Sequence, residues 1–356
     1  MIPVPPGQNL GTQDLETEGL EPHDLERQVA QEVLRRDAGA THFRRDDDRL
    51  KLLFIGGLGR SGSTLIERLL NELPAMFAVG ETIHVWERGV RAEERCGCGE
   101  PFLDCPHWSA VGKNAFGDWD NVDLDEVIGL RWSVDRSRQL PMIEYASRTG
   151  SVSDEQQRYL SYLRRILHGS SSVAGTPPVL LESSKHVSTA ALLALEPTID
   201  LRILHLVRDP RGVAYSWTKQ VHRPETDGDL MPTYSHQRTA RRWVTDNLAF
   251  EALAKRVPSI RLRYEDFLEG PEQAVKAITE LVDLDPASID LSFLDGRTAT
   301  LTSPMHSVAG NPLRFGGDVV RLRLDDAWRG QLSRRQQALI TGITGPLLVR
   351  YGYPLR

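Results

Sequence analysis

Residues Gly57-Leu-Gly-Arg-Ser-Gly-Ser-Thr64 have the makings of an anion cradle. Glycine lets the backbone close on a ligand, and successive N–H groups ahead of a helix turn positive dipoles toward a phosphate. The stretch nearly fits the phosphate-loop pattern G-x-x-x-x-G-K-[ST], but Ser63 stands where the lysine belongs. Arg60 is the only cation inside it. A nucleoside triphosphatase without that lysine loses its main charge clamp on the β- and γ-phosphates. The plainer alternative is a glycine turn that binds nothing. A second group, Cys96-Gly-Cys98 followed by Cys105-Pro-His107, gathers three thiols and an imidazole in one short segment. It could make a Cys3His zinc site. Its C-x-C spacing is tighter than the usual C-x2–4-C, so a disulfide or free thiols is the expectation, with no metal.

Arg60-Ser-Gly-Ser-Thr-Leu65, placed after an apolar strand, resembles the 5′-phosphosulfate loop of the PAPS-dependent sulfotransferase superfamily. It is nearest the branch of tyrosylprotein and carbohydrate sulfotransferases, where the motif begins with arginine. The resemblance implies that Arg60, Ser61, Gly62, Ser63 and Thr64 hold the 5′-phosphosulfate of 3′-phosphoadenosine 5′-phosphosulfate (PAPS). One phosphate and one sulfuryl group need less charge than a triphosphate, which suits Ser63. The segment Arg202-Ile-Leu-His-Leu-Val-Arg208-Asp-Pro-Arg-Gly-Val-Ala-Tyr-Ser216-Trp217 resembles the family's second hallmark. By that resemblance Arg208 and Ser216 bind the 3′-phosphate, a task suited to the guanidinium fork. Otherwise Arg208 caps a strand and pairs with Asp209, Glu182 or another carboxylate. Leu262-Arg-Tyr264-Glu-Asp-Phe267 resembles the family's R-Y-E-D segment and implies that Tyr264 lies near the nucleotide. Gly310-Asn-Pro-Leu-Arg314-Phe315 is similar to a segment of bacterial sulfotransferase-like proteins and implies that Arg314 closes over the cofactor. The Arg-Lys-Gly motif of the cytosolic family is absent.

Sulfuryl transfer needs a base for the acceptor proton, in-line placement, and positive charge where the leaving phosphate oxygen gains charge. Counted without a gap from Arg60, Glu81 matches the base of the tyrosylprotein branch. It is a lone carboxylate after Gly80, where those enzymes often carry two. Its structural alternative is a helix N-terminal glutamate. Lys185, in Glu182-Ser-Ser-Lys185-His186, matches the family's catalytic lysine, which neutralises charge on the bridging oxygen. Other branches use histidine as base, which keeps His84, His186 and His306 as rivals.

These groups need a frame. Lys51-Leu-Leu-Phe-Ile55 reads as a buried parallel strand, and Leu65, Ile66, Leu69, Leu70 and Leu73 then repeat at helical spacing. Further strands are expected at 179–182, 203–207 and 261–265. Asp209-Pro210 opens a helix. Others are expected at 235–255, with Trp243, Val244, Leu248 and Leu253 inward, at 271–281 and at 334–348. The alternation predicts an α/β fold, a P-loop-type doubly wound parallel sheet flanked by helices. It forms a single main domain over 49–356. Residues 1–48 are an extension, partly helical (24–36) or disordered. Segments 81–168 and 301–328 read as less regular, substrate-facing excursions. Trp86, Phe102 and Trp108 line either the core or an acceptor pocket.

A formal charge of −6 argues against a nucleic-acid partner or an acidic-membrane surface. No basic patch followed by an apolar run opens the chain, and no stretch is long enough to span a membrane, so the cytoplasm is expected. A bacterial enzyme acting on a small-molecule, lipid or glycan acceptor is the favoured reading. A P-loop kinase or NTPase would need the loop lysine and a magnesium-binding acid at a strand end, where Arg208 precedes Asp209. A catalytically inactive PAPS-binding module would need neither Glu81 nor Lys185.

Overall fold

The apolar run at the start of the core forms β1 (Leu50–Gly56), in which Leu52, Leu53, Phe54 and Ile55 are fully buried. Burial on both faces is the signature of an inner parallel strand. The computed structural model describes residues 49–175, 179–226 and 229–355. Helix α1 (Ser63–Leu70) follows the glycine loop, then β2 (Met76–Gly80). Four helices come next: α2 (Pro106–Phe116), α3 (Leu124–Val134), α4 (Leu140–Thr149) and α5 (Asp154–Ala174). The sheet resumes with β3 (Val179–Lys185), α6 (Val187–Leu193), β4 (Ile199–Val207), α7 (Pro210–Ser216), α8 (His236–Leu253) and β5 (Ser259–Arg263). Helices α9 (Tyr264–Glu269) and α10 (Pro271–Leu281) follow. A small antiparallel sheet of β6 (Leu294–Asp295), β7 (Thr298–Thr300) and β8 (Val319–Arg321) precedes α11 (Trp328–Gln331) and α12 (Arg334–Arg350).

The main sheet is wholly parallel, in the order β2-β3-β1-β4-β5. Side chains alternate across it. Leu52, Phe54, Leu180, Leu201 and Ile203 face a core built with Trp86, Phe102, Trp108 and α5, whereas Leu53, Ile55, Leu181 and Leu204 face α1, α9 and α10. The connections run from β1 to one side (β2, β3) and then return to the other (β4, β5). The carboxyl ends flanking β1 are therefore the switch point where such sheets bind ligands.

The α/β expectation holds, with particular corrections. Strand β2 escaped notice because Met76-Phe-Ala-Val-Gly80 is too short to show a period. Segment 81–168 is mostly regular helix, including the 21-residue α5, and adds no strand to the sheet. Trp86, Phe102 and Trp108 are core, each fully buried. In α8, Trp243 and Leu253 are buried, but Leu248 is 45% exposed and Asn247 and Phe250 take the inner face. The fifth strand ends at Arg263, so Tyr264 opens a helix. The extension at 1–48, with its helix at 24–36, lies outside the described residues. Among the described residues no helix is long and apolar enough to cross a membrane.

Candidate active site

Every strand of the main sheet delivers a site residue at or just past its carboxyl end. From β1 the chain enters the glycine loop, where Gly57 (φ 134°) and Gly62 (φ 98°) occupy conformations that side chains rarely adopt. A Cβ on Gly57 would lie 2.3 Å from the Leu206 carbonyl oxygen, and one on Gly62 would lie 2.3 Å from the Tyr264 ring. Ser61 Oγ donates to Leu58 O at 2.7 Å, and Trp217 Nε1 donates to Gly59 O at 2.9 Å, fixing the loop. Helix α1 begins without a side-chain cap. Among the described residues, the backbone N–H groups of Gly59 to Thr64 have no protein acceptor. That is the condition for receiving an anion. Arg60 lies over the Trp217 ring at 5.2 Å and its buried Nε has no partner among the described residues. Burial pulls the Arg60 pKa down, and the charge of Glu81 pushes it back.

Beyond β2 and β3 the two expected reacting groups meet. Lys185 Nζ donates to Glu81 Oε1 at 2.5 Å and to Ser183 O at 2.7 Å. Both side chains are largely screened, 13% and 15% exposed, yet open at one side. Lys185 sits at φ 67°, a turned backbone that aims it back along the strand ends. A Cβ on Gly310 would touch Glu81 Oε1 at 3.4 Å and Thr64 Oγ1 at 3.9 Å, which puts the carboxylate beside the mouth of the loop.

Behind this pair stand two buried carboxyl groups: Glu67, which the sequence did not single out, and Glu182, which it offered only as a partner for Arg208. Glu67, on α1, accepts from Gly80 N at 3.0 Å and Ser183 Oγ at 2.9 Å. Burial pushes its pKa up to about 8, against the Ser183 hydrogen bond and the charge of Lys185. Glu182 accepts from Thr82 N at 3.0 Å, Thr82 Oγ1 at 2.8 Å, Ser184 N at 3.0 Å and Ser184 Oγ. Burial raises its pKa to about 7. Together they tie α1, β2 and β3 into one block, so Glu81 and Lys185 emerge from a rigid base.

Among the rival histidines, His84 Nε2 lies 3.6 Å from Glu81 Oε2, and its Nδ1 has no partner among the described residues. Burial, then Arg88, lower its pKa well below the usual range, so the ring is neutral. His186 is held down to about 3, chiefly by burial. His306 points elsewhere, with Nδ1 3.2 Å from Cys105 Sγ.

At the end of β4, Arg208 is buried and donates to Arg60 O at 3.1 Å and Asp325 O at 3.2 Å. Its guanidinium lies 5.1 Å from the centre of the Tyr264 ring. The partners imagined for it are taken: Asp209 is bridged by Arg211 at 2.7 Å, and Glu182 is bound as above. Its nearest carboxylate is Asp325 at 3.8 Å, which Lys219 shares at 3.1 Å. No sequence signal marked Asp325. Ser216 is the half-buried last residue of α7, two turns from Arg208, and its hydroxyl makes no hydrogen bond among the described residues. Arg314 is nearly fully buried, donating to Ser307 O at 2.8 Å and Arg95 O at 2.9 Å, with Glu225 at 3.8 Å. It braces the chain next to Glu81.

A glycine loop without lysine, a carboxylate–lysine pair and a buried arginine meet at the carboxyl ends of one parallel sheet. The profile of the sulfotransferase domain family matches residues 51–293, most of the chain, and the chain belongs to that family. Solved structures similar to it include the sulfotransferase domain of the Synechococcus PCC 7002 olefin synthase, at 19% identity and TM-score 0.44, covering 88% of this chain and 100% of that one. A sulfotransferase from Mycobacterium avium is 17% identical, with TM-score 0.43 and coverage of 93% and 81%. Retinol dehydratase, solved with retinol and PAP, is 16% identical, with TM-score 0.34 and coverage of 87% and 84%. No curated protein sequence matches the chain.

Proposed function

We propose that the protein transfers a sulfuryl group from PAPS to a hydroxyl or amine of a small-molecule, lipid or glycan acceptor, releasing adenosine 3′,5′-bisphosphate (PAP). The observation that carries this reading is the Glu81–Lys185 contact of 2.5 Å beside loop amides that have no protein acceptor among the described residues. The amides of the glycine loop and Arg60 receive the 5′-phosphosulfate; Arg208, Ser216 and Tyr264 receive the 3′-phosphate side. Glu81 takes the acceptor's proton as the acceptor oxygen or nitrogen bonds to sulfur. The bond from sulfur to the bridging oxygen breaks, and Lys185 neutralises the charge left on the 5′-phosphate. Arg314 holds the Glu81 side of the site in place. No metal takes part in this scheme.

The His84 contact supports a second reading, in which the neutral imidazole takes the proton and Glu81 orients it. Transfer of labelled sulfuryl from PAPS to a surrogate phenol tests both. Activity lost in Glu81→Gln and kept in His84→Ala supports the first reading. The reverse pattern moves the base to His84, and wild-type protein that neither binds nor turns over PAPS ends the sulfotransferase reading.

A further inference from the structure

Cys96, Cys98, Cys105 and His306 each turn one ligand atom toward a common point, and these four atoms lie within 4.8 Å of one another. None of the thiols is in a disulfide. Cys98 Sγ is 3.7 Å from Cys105 Sγ, and Cys105 Sγ is 3.2 Å from His306 Nδ1. Zinc bonds of about 2.3 Å to sulfur and about 2.0 Å to nitrogen, at tetrahedral angles, separate ligand atoms by about 3.5–3.8 Å. A disulfide would need a separation of about 2.05 Å. We propose that Cys96, Cys98, Cys105 and His306 bind zinc as a closed structural site.

This proposal departs from the sequence expectation of a disulfide or free thiols without metal, and it changes the fourth ligand from His107 to His306. His107 is not among the converging ligand atoms; its ring packs at a tilt against Phe77, 4.7 Å between centroids, and stacks on His306 at 5.4 Å. His306 comes from a segment 201 residues beyond Cys105, a pairing that no local spacing could disclose.

The backbone around the four residues is built as a clasp. Cys96 N donates to Glu100 O and Gly99 N to Cys96 O, both at 2.8 Å, so 96–100 forms a tight turn with Gly99 at φ 96°. Gly97 N donates to Ser307 O at 3.0 Å, and a Cβ on Gly97 would strike Met305 O at 2.7 Å. Only glycine lets the turn press onto the strip that carries His306. Trp108 Nε1 donates to His306 O at 2.8 Å from the other side. Two residues on, Val308 pairs with Gly80, and Val308 O accepts from Glu81 N at 2.9 Å. The metal therefore fastens the strip that braces Glu81 to the turn segment 96–105 ahead of α2. Four protein ligands leave no open position for substrate or water, so the zinc holds structure and takes no part in the chemistry.

Elemental analysis of the purified full chain tests this without reference to turnover. About one zinc per chain is expected, released by a mercurial together with exposure of the three thiols. Cys105→Ser and His306→Ala lose the metal, and His107→Ala keeps it. If the variants fail to fold, cobalt exchanged into wild-type protein gives the visible bands of a tetrahedral thiolate site. Metal-free protein with three titratable thiols, a Cys98–Cys105 disulfide by intact mass, or iron in place of zinc overturns the proposal.

Discussion

Lys185 donates to Glu81 at 2.5 Å, yet the tasks proposed for the two residues differ, and mutants separate them. Glu81→Gln removes the proton acceptor with little change of shape. Turnover falls by roughly 10²–10⁴-fold while PAP affinity stays near wild type. Lys185→Ala should slow transfer and also weaken PAP, because the proposed scheme sets the ammonium against the phosphate before and after reaction. Steady-state kinetics alongside calorimetry checks both, and equal affinity losses in the two variants would contradict the division of labour. Both residues were legible as candidates through the resemblance, Glu81 counted without a gap from Arg60 and Lys185 just after the apolar run at 179–182, and the structure sets the two in contact. Glu67 and Glu182 were not. A glutamate in a helix and another in a strand look ordinary until the sheet order sets Gly80, Ser183 and Thr82 against them. Asp325 and the Cys105–His306 contact were hidden for the same reason, since their partners lie more than a hundred residues away in the chain.

At the scale of elements, the proposed role of the glycine loop rests on α1 beginning just after Gly62 with no protein acceptor for its first amides among the described residues, and on the Tyr264 ring packed against Gly62. Gly62→Ala places a side chain at φ 98° and drives Cβ into that ring. Strain alone costs on the order of 1–3 kcal/mol. Urea unfolding should show a loss of that size, and PAP binding should weaken as the loop or Tyr264 gives way. A variant with unchanged stability and affinity would show that the packing of Tyr264 on the loop is not needed. The strand–loop–helix unit was readable because apolar run, glycines and helical period succeed one another without interruption. Strand β2, five residues long, offered no period to read. Leu248 misled because the inner stripe runs Trp243, Asn247, Phe250 at ordinary helical spacing and takes in a polar residue, Asn247, which bonds His205 at 2.7 Å.

For the whole molecule, one parallel sheet carries the site along a single edge and hides two carboxyl groups beneath it. Glu67 and Glu182 have folded-state pKa values raised to about 8 and about 7, above the usual value near 4.3 for glutamate. Between the unfolded and folded values the native state holds protons that the unfolded chain has released, so stability falls as pH rises through that window. Buried His84, His186 and His205, whose pKa values are lowered, act in the opposite direction below about pH 6.5, so the test compares two slopes. Between about pH 5 and about pH 8 the stability of Glu67→Gln should rise relative to wild type, and a pH-independent difference contradicts a protonated Glu67. The α/β architecture was legible as a whole because parallel strands announce themselves by continuous burial. The C-terminal antiparallel sheet was not, since its strands are two or three residues long. The central claim is that this edge grips a nucleotide by both ends, with Arg208 and Ser216 on the 3′-phosphate. Calorimetry of PAP against AMP tests it most directly. Charge-assisted hydrogen bonds of about 1.5–3 kcal/mol each to the 3′-phosphate predict that PAP binds at least about tenfold more tightly than AMP, and that Arg208→Ala erases the difference. Equal affinities for PAP and AMP, or a preference for ATP with magnesium, would contradict it.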